Sequence, residues 1–99
     1  VTIPDANFKT YLICNFDSDK DGEISIDEAK AITKIGVSNA SIQSVKGIEY
    51  MPNLISLNIS RNQLTSIDLS ENTKLLTLNC NYNKLTALDL SKNTGLILL

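Results

Sequence analysis

Two consecutive blocks of 21 residues, Leu54–Lys74 and Leu75–Gly95, are identical at 11 positions. Tandem self-similarity at this period restricts the fold more than composition does. A unit this short has an apolar face that it cannot bury alone, so successive units must stack into a solenoid. Both blocks fit L-x-x-L-x-[LIC]-x-x-N-x-L, as Leu54, Leu57, Ile59, Asn62 and Leu64, then as Leu75, Leu78, Cys80, Asn83 and Leu85. Each closes on an aliphatic residue followed by Asp-Leu-Ser-x-Asn-Thr, at Ile67–Thr73 and Leu88–Thr94. A weaker unit, offset by 22, precedes them with Ile32, Ile35, Val37, Ile42 and Val45, and Ala40 stands where the motif has Asn. A fourth begins at Leu96 and reaches its second Leu at Leu99.

The pattern resembles the leucine-rich-repeat family. It implies an α+β chain built as a short right-handed solenoid with parallel strands. The strands are expected over 54–60 and 75–81, with alternate side chains pointing inward. The ninth-position Asn turns the chain, and its amide bonds the backbone of neighbouring coils. The non-core strand positions then face the concave side: Ser56, Asn58, Ser60 and Arg61, then Thr77, Asn79, Asn81 and Tyr82, with Lys34, Gly36 and Ser38 in the first coil. This strip is polar and nearly uncharged. Arg61 and Tyr82 are its candidate anchors, because both residue types are enriched at binding hot spots; the alternative is that all are simply solvated strand residues. Three coils offer less than the roughly 800 Å² per partner of a typical interface unless the natural protein is longer. No C-terminal cap is visible, and Leu96 to Leu99 would leave an unpaired strand edge. A fragment of a longer solenoid, end-to-end association through Leu96–Leu99 and a frayed end all remain open.

The segment before the repeats has a different character. Residues 1–31 hold seven acids and three Lys, a net of −4, whereas residues 32–99 are net +2. Asp5 is placed to N-cap a helix over residues 6–15, with Phe8, Leu12, Ile13 and Phe16 along its apolar stripe. Then Asp17-Ser18-Asp19-Lys20-Asp21-Gly22-Glu23-Ile24-Ser25-Ile26-Asp27-Glu28 fits D-x-[DN]-x-[DN]-G-x₅-E, the EF-hand calcium loop. Calcium takes six to eight oxygens. Asp17, Asp19 and Asp21 supply carboxylates, and Gly22 the sharp bend. Glu23 supplies its backbone carbonyl, Ser25 a ligand directly or through water, and Glu28 a bidentate carboxylate, with Ile24 as the apolar anchor. A short exit helix is expected near residues 26–32, and Ile32 serves both that helix and the first repeat. EF-hands usually work in pairs, and this chain has one loop and one Met. A structural staple is therefore favoured over a switch that opens a Met-rich groove.

The remaining composition excludes more than it assigns. Net charge is −2 with both signs interspersed, which gives no nucleic-acid footprint and no polybasic membrane patch. No run approaches the roughly 18 apolar residues of a membrane span. Without His, the commonest general base and transition-metal ligand is missing, and a Ser or Thr nucleophile would have to rely on Lys. Asp68 and Asp89 recur at the repeat spacing and read as turn residues bonding local N–H groups. The N-x-[ST] matches at Asn39 and Asn58 are incidental in an Asn/Ser-rich chain. Cys14 and Cys80 read as small buried apolar residues. The chain begins at Val1, as after removal of a signal peptide or trimming.

Taken together, an EF-hand-like cap over residues 1–31 and leucine-rich repeats over 32–99 resemble the bacterial internalin family, where a helical EF-hand-like segment caps a leucine-rich solenoid. The likeness extends to secreted or lipid-anchored bacterial surface proteins with repeats of the Asn62-Gln63-Leu64-Thr65-Ser66 type. It implies a non-enzymatic module at the cell surface or outside the cell, with Ca2+ in the cap and a protein or glycan ligand. Two other classes are weighed: a calcium sensor or buffer that uses the repeats as a docking platform, and a targeting domain of a larger enzyme.

Overall fold

The structure is a computed structural model that describes residues 1–97. It opens with α1 (Ala6–Phe16), a loop, and the single-turn helix α2 (Ile26–Lys30). Three short strands follow, β1 (Lys34–Gly36), β2 (Ser56–Asn58) and β3 (Thr77–Asn79), with a 3₁₀ turn at Ile48–Tyr50 between the first two. The strands form one parallel sheet in the order β1-β2-β3. Ile35 lies beside Leu57, and Leu57 beside Leu78. These partners are 22 and 21 residues apart, the spacings of the sequence repeat. Ile35, Leu57 and Leu78 are buried, and their strand neighbours turn outward.

The strands are shorter than the expected 54–60 and 75–81. Asn58 Oδ1 accepts from the Ser60 N–H (3.1 Å) and hydroxyl (2.9 Å), and Asn79 Oδ1 accepts from the Asn81 N–H (3.1 Å). These side-chain turns bend the chain out of extended geometry. Hydrogen bonding between coils nevertheless continues through the bend, from Asn39 N to Arg61 O and from Arg61 N to Asn81 O.

The ninth-position asparagines satisfy the turn backbone. Asn62 accepts from the N–H groups of Ala40 and Ile42 and donates to the carbonyls of Val37, Ile59 and Ser60. Asn83 repeats this one coil on, accepting from Leu64 N–H and donating to Ile59 and Cys80 carbonyls. A second column runs along the return path: Asn72 donates to Ile48 O and Met51 O, and Asn93 donates to Leu69 O and Asn72 O. In both columns an Asn serves the coil before it. The first coil has no coil before it, so it carries Ala40 and Met51 at the equivalent positions.

The helical segment shares one core with the coils, in which Phe8, Leu12, Ile24 and Ala29 are buried with Ile32, Ile35 and Leu57. α2 ends at Lys30, short of the expected residue 32. Ile32 N–H still bonds Ala29 O while the Ile32 side chain enters the first coil. Asp5 docks the segment: one carboxylate oxygen caps α1 through the N–H groups of Asn7 and Phe8, and the other accepts from Gln43 and Ser44. The Tyr11 hydroxyl accepts from Gly36 N–H and so covers the free edge of β1. The cysteine expectation is corrected on both counts. Cys14 is exposed, because it lies on the face of α1 opposite Phe8 and Leu12, and Cys80 is half-buried, with no described coil stacked on it.

The extra residue of the first, 22-residue coil falls near Gly47, which has φ +111°. A Cβ there would sit 3.1 Å from Ile3 Cγ1 and 3.3 Å from Thr2 O. Gly47→Ala is therefore expected to destabilise by more than about 1 kcal/mol, a fall of about 4–8 °C or more in calorimetric melting temperature. Asp5 supplies a pH-dependent contribution. Burial alone would raise its carboxyl, but four backbone N–H donors outweigh burial and hold it below its ordinary value. A lowered folded pKa means that the contribution is present above about pH 4 and is lost as pH falls through the folded value. Asp5→Asn should melt below the parent at pH 7, and the gap should narrow progressively in melts at pH values falling below about 4.

Candidate functional site

The 17–28 loop gathers four acids. Asp17, Asp19, Asp21 and Glu28 each offer a carboxylate oxygen, and the four oxygens lie within 4.8 Å of one another. α1 delivers Asp17 as its C-terminal cap, and α2 holds Glu28 in its first turn. Gly22, at φ +81°, lets the chain coil back so that its N–H reaches Asp17 Oδ2 at 2.9 Å. Asp19 Oδ1 accepts from Asp21 N–H (3.3 Å), and Asp21 Oδ1 accepts from Glu23 N–H (2.9 Å). Glu28 ties the two ends of the loop together. Its Oε1 accepts from Ser25 N–H (2.8 Å), and its Oε2 from Ser18 N–H (2.8 Å), the Ser18 hydroxyl (3.2 Å) and Asp19 N–H (3.3 Å).

The electrostatics split the cluster in two. Glu28 is pushed down to about 2, first by the Ser25 N–H and further by the donors of Ser18 and Asp19, against a smaller opposing effect of burial. Asp19 is raised to about 6, first by its hydrogen bond with Asp17, then by burial and by the charges of Asp21 and Glu28. Glu28 is thus a satisfied anion, whereas the three aspartates share a space that favours a positive partner. Asp17 Oδ1 is buried without a hydrogen-bond partner.

Besides Glu28, two more of the expected ligand residues have other engagements. The Glu23 carboxylate turns to α1 and pairs with Lys9 at 2.9 Å, which leaves only its backbone carbonyl for the loop. Ser25 caps α2, its hydroxyl accepting from Glu28 N–H at 3.0 Å. Together with the reciprocal Ser25 N–H to Glu28 bond this is a capping box. The motif reading gave Ser25 and Glu28 to the metal alone, although the S-x-x-E signal of the capping box was there to read. It also missed Ser18, which carries no motif position.

On the sheet, Ser56, Asn58, Thr77 and Asn79 occupy the outward strand positions, and the Thr77 hydroxyl donates to Ser56 Oγ at 2.9 Å. Arg61, Asn81 and Tyr82 lie beyond the strand ends, where the Arg61 guanidinium sits 4.7 Å from the Tyr82 ring centroid. Arg61 and Tyr82 have φ of 58° and 59°, a left-handed conformation that costs a side-chain-bearing residue about 1–2 kcal/mol. Asp68 and Asp89 are turn residues: the Ser70 side chain and then its N–H hold the Asp68 carboxyl low, and the Ser91 side chain and then its N–H do the same for Asp89.

The fold and these features define a leucine-rich-repeat solenoid with parallel strands and an N-terminal helical segment. No family model matches the chain. It is 36% identical over 70 residues to internalin J of Listeria monocytogenes serotype 4b, an alignment spanning 71% of this chain and 8% of that protein. The solved functional domain of internalin J from L. monocytogenes, which includes a cysteine ladder, superposes with a TM-score of 0.91 and 36% identity over 98% of this chain and 22% of its own. A second internalin from that species, inlF, superposes at 0.89 with 33% identity over 97% of this chain and 29% of its own. Internalin C2, at 17% identity and a TM-score of 0.68, shares the fold. The chain is an internalin-like leucine-rich-repeat domain, and it spans under a third of the length of the first two solved relatives and 8% of full-length internalin J.

Proposed function

We propose that this chain is a non-enzymatic binding module of a secreted or surface-anchored bacterial protein, with residues 1–31 as a cap and 32–99 as the binding repeats. The open outer face of the sheet carries this reading. It presents Lys34, Ser56, Asn58, Thr77, Asn79 and Asn81, a polar strip open to a partner, with Arg61 and Tyr82 at its rim. Among the described residues no helix is long and apolar enough to cross a membrane. The proposed end-to-end association through Leu96–Leu99 falls partly on residues 98 and 99, outside the described residues.

The cap would hold Ca2+ through Asp17, Asp19 and Asp21, with the Glu23 carbonyl, Ser25 directly or through water, and Glu28 once the Ser18 and Asp19 donors on its Oε2 give way to the ion. The donor set fits: it is all hard oxygen, and the orphaned Asp17 Oδ1 has no other partner. The ion would act as a staple and not as a switch, because opening the helix pair would expose Phe8, Leu12, Ile24 and Ala29 from the common core. Cys80 stands where Ile59 stands one coil earlier, and burial pushes its thiol up.

Two experiments test this reading. Extracellular calcium modules bind at about 10⁻⁴–10⁻³ M, and hundredfold saturation adds about 2.7 kcal/mol, so calcium should raise the melting temperature by about 10–20 °C over chelator, with magnesium giving little. Asp19→Asn should melt at or above the parent in chelator, since it relieves repulsion, and lose most of the calcium-dependent rise. No calcium-specific shift in the parent would refute the staple. For the face, extracellular proteins and glycans screened in calcium should yield a ligand whose binding Thr77→Arg weakens at least tenfold without lowering the melt by more than a few degrees. Binding that is indifferent to Thr77→Arg would refute the strand-face assignment.

A further inference from the structure

Four residues with side chains stand in the left-handed region at the rim of the sheet: Asn39, Ser41, Arg61 and Tyr82, with φ between 55° and 59°. Asn39, Arg61 and Tyr82 form a column, with Asn39 N–H donating to Arg61 O and Tyr82 21 residues beyond Arg61. Glycine takes this conformation without steric cost, and asparagine tolerates it, but long side chains are strained there. Backbone economy alone would place glycine at 61 and 82. Strain kept at side-chain-bearing positions clusters where ligands are clamped.

The four side chains, with Gln63 and the fully engaged Asn62, border one hollow of about 380 Å³. Its chemistry is uniform. The amide of Asn39, the hydroxyl of Ser41, the hydroxyl of Tyr82 and the guanidinium of Arg61 make no hydrogen bond among the described residues, and no carboxylate lines the hollow. Tyr82, 72% exposed, has its ring centroid 4.7 Å from the Arg61 guanidinium carbon, which keeps the guanidinium beside an aromatic ring at the mouth of the hollow. A guanidinium edge matches a carboxylate in two parallel hydrogen bonds. Neutral amides and hydroxyls beside it match vicinal hydroxyls, and an open aromatic face matches the C–H face of a pyranose. An acidic peptide side chain would engage Arg61 and leave the amide and hydroxyl groups unaddressed.

We propose that this hollow is a saccharide subsite for a carboxylate-bearing sugar of the uronic acid class, with Arg61 on the carboxylate, Tyr82 against the sugar ring and Asn39, Ser41 and Gln63 on its hydroxyls. The assignment rests on the strand-face binding reading and gives that face a ligand class. The test is a ¹⁵N NMR titration in calcium with three probes: a hyaluronan tetrasaccharide, neutral maltotetraose and tetraglutamate. Saturable shifts at Asn39, Ser41, Arg61 and Tyr82 are expected with hyaluronan, at least tenfold weaker with the other two. Arg61→Gln should lose at least tenfold for hyaluronan. Arg61→Gly and Tyr82→Gly should lose binding while melting within a few degrees of the parent or above it. Equal binding of tetraglutamate, or no binding of hyaluronan, would overturn the sugar assignment. Gly variants that melt far below the parent would overturn it as well, by making both residues structural. Shifts confined to Ser56, Asn58, Thr77 and Asn79 would overturn the subsite while leaving the strand-face reading standing, and a screened ligand indifferent to Thr77→Arg would break that reading separately.

Discussion

Every coil of this solenoid must turn its backbone where water cannot reach, and the buried asparagine amides make that possible. An unpaired buried N–H or C=O costs about 1–3 kcal/mol. Asn62 alone answers two N–H groups and three carbonyls spread over two coils. The aliphatic core supplies the drive to stack, but it is indifferent to register. The amides set the register, because each fits only when its coil sits one full repeat from the last. Ile35, Leu57 and Leu78 then align as a consequence.

The same rule explains how the solenoid begins. A ladder Asn serves the coil before it, so a first coil has nothing to serve, and Ala40 and Met51 take the vacated positions as buried or half-buried apolar residues. The helical segment meets the first coil through different groups: the Asp5 carboxylate on Gln43 and Ser44, the Tyr11 hydroxyl on Gly36, and Ile3 against Gly47. The first coil is one residue longer than the second, and the surplus sits at the left-handed Gly47 where Ile3 passes. Cap and coil are thus fitted to each other at particular atoms.

Much of this was legible before any coordinates. The repeat period, the offsets of 22 and 21, the strand centres, the Asp5 cap, α1 and the acid cluster all follow from spacing, because periodic burial and ligand geometry leave periodic residues. What spacing could not show were side chains with two uses. Ser25 and Glu28 read as metal ligands, yet they also form a capping box. Asn58 and Asn79 read as strand residues, yet their side chains end the strands. Asn72 and Asn93 read only as part of the Asp-Leu-Ser-x-Asn-Thr closing motif, yet they build a second ladder. Cys14 was misjudged because residue type was weighed without its place on the α1 face. In each case the missing information was a long-range or off-motif partner, which a local pattern does not encode.

The acidic loop carries the same division of labour as the repeats, between groups that hold the backbone and groups left free to bind. Glu28 has its oxygens filled by N–H and hydroxyl donors from both ends of the loop, so the loop is closed by the chain's own hydrogen bonds. Asp17 and Asp19 are brought close by that closure and are left in mutual conflict, which raises Asp19 to about 6. A cation entering such a site meets oxygens already assembled, and little chain entropy remains to be lost on binding. The sheet rim repeats the logic with backbone strain in place of charge repulsion. Asn62 and Asn83 hold the turns, and beside them Arg61, whose N–H and C=O both bond to neighbouring coils, and Tyr82 keep a left-handed conformation that their side chains disfavour. In both places the fold holds a costly arrangement rigid, and a ligand is what would relieve or use it.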